Sequence, residues 1–116
     1  MGTLSLTEIQ AKLLEGSLSC SEVVTGCLAR IEQTKHLNAY IEVYADEAVR
    51  HAEQIDHKLK HSPEKLGKLF GCVISVKDMI VHEGHGASAG SRILQGFRSR
   101  FTATCLQRLM DEDAVI

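Results

Sequence analysis

The chain has no tryptophan, only two tyrosines and three phenylalanines, and a single proline in 116 residues. Any core must therefore be assembled from Leu, Ile, Val and Ala rather than from aromatic bulk. Charge of one sign is also missing. A formal net charge of −2 gives no field suited to nucleic acid or an anionic membrane surface. The basic residues are scattered and do not alternate with aromatics as a single-strand-binding surface would. No run is long and apolar enough to cross a bilayer. Residues 1–10 lack a basic stretch followed by an apolar one, so no secretory leader is expected. Leu6 stands where a myristoylation motif beginning at Gly2 requires Ser or Thr. The four cysteines, Cys20, Cys27, Cys72 and Cys105, form no C-x-x-C pair. They are expected to be reduced, apolar packing residues of a cytoplasmic protein.

What is present suits one small globular domain, with 44% hydrophobic and 24% charged residues. Two capping boxes occur in succession. Ser5 with Glu8 opens a helix lined by Leu6, Ile9 and Leu13 and closed by Gly16; Ser19 with Glu22 opens a second one carrying Val23, Val24, Cys27, Leu28 and Ile31. The two stripes predict a helical hairpin over about 5–36. "NAYIEVY", residues 38–44, alternates in the manner of a strand. A third helix is expected over about 45–61, with Ala48, Ala52, Ile55 and Leu59 on one face and a stop at Ser62-Pro63. Cys72, Val73, Ile74 and Val76 form a nearly continuous apolar run, as in a strand covered on both faces. A last helix is expected from about Thr102 to Glu112, and Ala114-Val115-Ile116 reads as the opening of a buried strand. The expected class is α/β, with helices packed on an incomplete mixed sheet and the α/β part over about 38–116. Three residues cannot form a useful ladder, so the chain is expected to be the front of a larger domain. An unpaired strand edge and apolar face would favour self-association.

Lys77 is the residue that invites a chemical role. It ends the apolar run, and functional groups of open α/β sheets gather at the carboxyl ends of strands. A desolvated lysine can hold a neutral amine and act as a general base. The plain alternative is a solvated lysine, or one paired with Asp78 or a distant carboxylate. "GHGASAG" is longer than a dinucleotide fingerprint, and no helix follows closely enough to receive a pyrophosphate. A flexible active-site or packing loop is the better reading. His82-Glu83-Gly84-His85 lacks the spacing of a zinc helix, and His57 with His61 has no third ligand nearby, so no metal is expected.

The longer patterns carry a resemblance. "GKLFGCVISVKDMI", followed by "GASAGSRILQGFRSRFTATCLQRLMDEDAVI", resembles the amidase signature family. There a Lys-Asp pair, a small-residue loop, an Ala-Thr helix start and an acidic-Gly-Ala-Val strand occur in that order. "LTEIQAKLLEGSLSCSEVVTGCLARIEQT" and "LNAYIEVYADEAVRHAEQID" are similar to the family branch that serves as the A subunits of tRNA-dependent amidotransferases. The resemblance implies that Lys77 is the base of a Ser–cis-Ser–Lys triad whose two serines lie beyond Ile116. Backbone N–H groups near the glycine loop would hold the oxyanion. It implies glutamine as substrate, with the released ammonia passing to partner subunits B and C. Those partners would use ATP and Mg to convert Glu-tRNA(Gln) to Gln-tRNA(Gln), and in some members Asp-tRNA(Asn). This chain itself would hold no cofactor, would touch tRNA only through the complex, and would be inactive alone. The departures from the family pattern are Met79 after Lys-Asp, Lys68 for a proline, Cys72 and Ser75 within the strand, and Asp113 for a glycine. Another amidase signature hydrolase of small amides, or a noncatalytic docking module, remains as an alternative reading.

Overall fold

In the computed structural model of the chain, residues 4–116 are described, so the Gly2 reading lies outside them. Both capping boxes close as expected. The Ser5 N–H donates to Glu8 Oε2 at 2.8 Å, and the Glu8 N–H donates back to Ser5 Oγ at 3.3 Å. This starts α1, Leu6–Glu15, which ends on Gly16 with φ 75°. Ser19 and Glu22 repeat the arrangement at the start of α2, Cys20–Gln33. A second layer of capping comes from α3, Ala45–His61. The Asp56 carboxylate accepts the N–H groups of Cys20 at 2.6 Å and Ser21 at 3.0 Å, which fixes the register of α3 against α2. α3 follows the macrodipole rule, with Asp46 and Glu47 in its first turn and Lys58, Lys60 and His61 in its last.

The core lies where these helices meet: Leu13 of α1, Cys20 and Val24 of α2, Ala48, Ala52 and Ile55 of α3, and Val115. Alanines at 48 and 52 leave no bulk between α2 and α3, which are therefore the principal helix pair. α1 joins the core through Leu13 and also docks on the segment after Leu66. Gln10 Nε2 donates to the carbonyls of Lys68 at 3.0 Å and Phe70 at 3.1 Å. Gly71 lies against Leu13 with φ 79°, the left-handed region that favours glycine.

The mixed sheet is not realised among the described residues, which contain no strand. What stands in its place is one parallel bridge between Val73 and Val115, with Ile74 N–H to Val115 O and Val115 N–H to Cys72 O, both 2.8 Å. Residues 38–44 also form no strand. Asn38 turns left-handed at φ 51°, and Ile41 is 79% exposed, with no partner strand over it among the described residues.

The closing helix α4, Thr104–Asp111, buries Leu106 and leads into Asp113 at φ 63°. That left-handed position after a helix suits glycine, the residue common there in the family pattern. Here the aspartate is buried and compensated. Its carboxylate accepts Lys58 Nζ at 2.6 Å and the Gly67 N–H at 2.8 Å. Gly67 lies so close to Glu112 that an added Cβ would overlap its backbone.

Candidate functional site

Lys77 follows the half-buried Val73, Ile74 and Val76 and begins a turn in which its carbonyl accepts the Ile80 N–H at 2.8 Å. Its side chain is exposed, and among the described residues it forms no ion pair. The Asp78 pairing considered from sequence does not form. Asp78 turns the other way, to the glycine loop: Oδ2 accepts both the Ser88 hydroxyl and the Ser88 N–H. Ala89 at φ 49° and Gly90 at φ 71° fold the loop back over this carboxylate. The Ser88 hydroxyl bond, joined by N–H groups of Ser88, Gly90 and Ala89, holds the Asp78 carboxyl below its ordinary range. Asp78 is thus the residue that fixes the glycine loop to the end of the Lys77 segment.

Two of the loop's N–H groups are already engaged within it. The Ser88 N–H serves Asp78, and the Gly90 N–H donates to Ser88 Oγ at 3.3 Å. The neighbouring hydroxyls are committed as well. Ser75 Oγ pairs with Tyr40 Oη at 2.9 Å, and Ser88 Oγ is held by Asp78. Neither is poised as a nucleophile for Lys77. An open cavity of about 740 Å³ lies alongside, between α2, the 40–44 segment and residues 73–76, with Ile116 in its wall. Its lining includes Val23, Val24, Cys27, Leu28 and Ile31, the stripe read from the sequence as the packing face of α2.

The loop is held from its other side by histidines. His82 and His85 are each 8% exposed and stack with their ring centroids 4.8 Å apart. His85 Nδ1 meets Glu42 Oε1 at 3.0 Å, and its Nε2 meets Glu47 Oε2 at 3.0 Å. Burial opposes a charge on His85, but the hydrogen bonds to Glu42 and Glu47 outweigh it and hold its pKa above the ordinary histidine value. Burial, with charged His85 beside it, holds His82 below that value. Sequence reasoning missed Asp78 as the loop tie, and Glu42 and Glu47 as partners of His85. Their separations of 43 and 38 residues from His85 leave no local pattern to find. The other histidine pair, His57 and His61, stacks with ring centroids 4.4 Å apart.

Comparison with known proteins decides the family. The sequence model described as Amidase matches residues 22–116. The chain belongs to the amidase family. Among its relatives is the A subunit of the glutamyl-tRNA(Gln) amidotransferase of Prosthecochloris aestuarii, 44% identical over 96% of this chain. The A subunit of the human mitochondrial glutamyl-tRNA(Gln) amidotransferase is 36% identical over 97% of it. The native peptide amidase of Stenotrophomonas maltophilia superposes with a TM-score of 0.87 at 31% identity, covering 98% of the chain. These 116 residues span 23% of the length of the first relative and 24% of the peptide amidase.

Proposed function

We propose that this chain is the lysine-bearing part of the A subunit of a tRNA-dependent amidotransferase. The observation that carries this reading is the 44% identity across 96% of the chain to a bacterial subunit of that kind. The peptide amidase, for its part, shares 31%. In the proposed reaction Lys77, as a neutral amine, draws the proton of a bridging serine, which relays it from the nucleophilic serine. The nucleophile's oxygen adds to the carboxamide carbon of glutamine. The C–N bond then breaks, the nitrogen leaves as ammonia with a proton returned through the serine, and water frees glutamate from the acyl-enzyme. The ammonia passes to subunits B and C, where ATP and Mg serve the conversion of Glu-tRNA(Gln). No serine among these 116 residues is assigned to the triad, so the chain alone is expected to have no glutaminase turnover. The Val73–Val115 bridge is, in this reading, the first pair of a mixed sheet completed by other strands of the fold. Assembly and tRNA contact in the cytoplasm complete the proposal.

The test is a chimera in which this chain replaces the matching residues of the Prosthecochloris protein, assembled with its B and C partners. Glutamine-dependent formation of Gln-tRNA(Gln) is expected. Hydrolysis of small amides without the partners, and none of glutamine, would establish a stand-alone amidase instead. Transamidation supported by ammonium chloride but never by glutamine would favour a docking module.

A further inference from the structure

The geometry points to Glu47, His82 and His85 as a binding site for one divalent transition-metal ion, zinc being the ion that best fits two imidazoles and a carboxylate. One ligand atom from each of the three residues lies within 4.8 Å of the others. Glu47 Oε2 is 3.7 Å from His82 Nε2 and 3.0 Å from His85 Nε2. Ligand atoms bound at about 2.0–2.1 Å around a tetrahedral zinc lie about 3.3 Å apart, and the two Glu47 distances fall near that value. The two imidazoles lie at 12° to one another, so one ring must rotate for both Nε2 lone pairs to meet the same ion.

The three side chains come from rigid places. Glu47 sits in the first turn of α3, and the histidines flank a tight turn closed by the His85 N–H to His82 O bond at 3.0 Å. Each imidazole is also oriented from behind. His82 Nδ1 faces Thr102 Oγ1 at 3.3 Å, an oxygen that also accepts the Glu83 N–H at 3.1 Å. His85 Nδ1 is held by Glu42. With both Nδ1 atoms so occupied, both Nε2 atoms are left to converge on Glu47. A carboxylate behind a ligating imidazole, as Glu42 is behind His85, is a usual support of a metal-binding histidine. Tyr44 packs on the pair, its ring centroid 3.8 Å from that of His85 and 5.6 Å from that of His82. The bound ion would fasten the start of α3 to the loop that follows Lys77.

Zinc chloride titrated into the chain by calorimetry tests this, with cobalt(II) absorption as a second measurement. One equivalent is expected to bind, and cobalt should give four- or five-coordinate visible bands without thiolate charge transfer. His82→Ala, His85→Ala and Glu47→Gln should each weaken binding by about 100-fold, and Glu42→Gln by about 10-fold or more. His57→Ala/His61→Ala and Cys105→Ser should change nothing. The cobalt spectrum of the unaltered chain keeps the test valid should a variant fail to fold. Absence of saturable binding would overturn the proposal and leave a histidine–carboxylate ion pair. So would binding that survives His85→Ala, or binding lost with His57 and His61.

Discussion

The helices before Pro63 and the irregular stretch after it are held together by different physics. The first region has a continuous apolar core in which Ile55, Ala52 and Cys20 are fully buried, and its ends are closed by capping side chains. Burial has pushed the Cys20 thiol up to about 12, as expected of a packing group. The second region sends Val115 into that core and packs Leu66, Phe70 and Val73 against it, but its loops are held by single polar ties: Asp78 to Ser88, Glu42 and Glu47 to His85, Asp113 to Lys58 and Gly67. Apolar burial spreads its stabilisation over many contacts, whereas a tie concentrates it in one pair. The lysine and its loop therefore sit where geometry is set by a few replaceable groups. The helical region supplies the platform.

Substitutions can break this contrast in order of size. Ile55→Ala should destabilise the whole chain by about 2–5 kcal/mol in urea titration, because the cavity opens at the centre of the core. Asp113→Ala should follow at about 2–3 kcal/mol, since Lys58 and the Gly67 N–H lose their acceptor while the left-handed backbone remains strained. Asp113→Gly should cost about 1 kcal/mol less than the alanine, as it relieves that strain. A larger loss for Asp113→Ala than for Ile55→Ala would place the controlling contacts at the junction and not in the core. Asp78→Ala should leave the global midpoint nearly unchanged. Amide exchange at Ser88, Ala89 and Gly90 should nevertheless quicken by about 10-fold or more, with α2 and α3 unaffected.

The smallest effect concerns His51. Burial holds its pKa below the ordinary value, with Asp113 pulling it up and Lys58 pushing it down. Between that lowered value and about 6.5 the unfolded chain binds more protons than the folded one. Stability should therefore fall as pH drops through this window, and His51→Gln should flatten the slope measured by urea midpoints.

The same contrast explains what could be read from the sequence. Capping boxes, the Ser62-Pro63 stop and the 48, 52, 55 spacing are local signals, and they place α1, α2 and α3 closely. α4 is shorter than the Thr102–Glu112 expectation because its start waits for Ala103, whose N–H donates to Val81 O. The strands failed because alternation at 38–44 and the apolar run at 72–76 state a preference for burial without naming a partner. That Lys77 would directly follow the apolar run was legible from its position, whereas the turn it begins was visible only in the fold. Asp78 as loop tie, and Glu42 and Glu47 as histidine partners, join segments distant in sequence, so they became visible only in the fold.

The most direct test of the account is glutamine hydrolysis by the chimeric protein bearing Lys77→Ala, beside the same chimera bearing Met79→Ala. The alanine at 77 should lower turnover by about 10²–10⁴-fold while ammonium-supported transamidation persists, and Met79→Ala should stay near the parent. Glutamine turnover that survives Lys77→Ala would contradict the assignment of this lysine as the base.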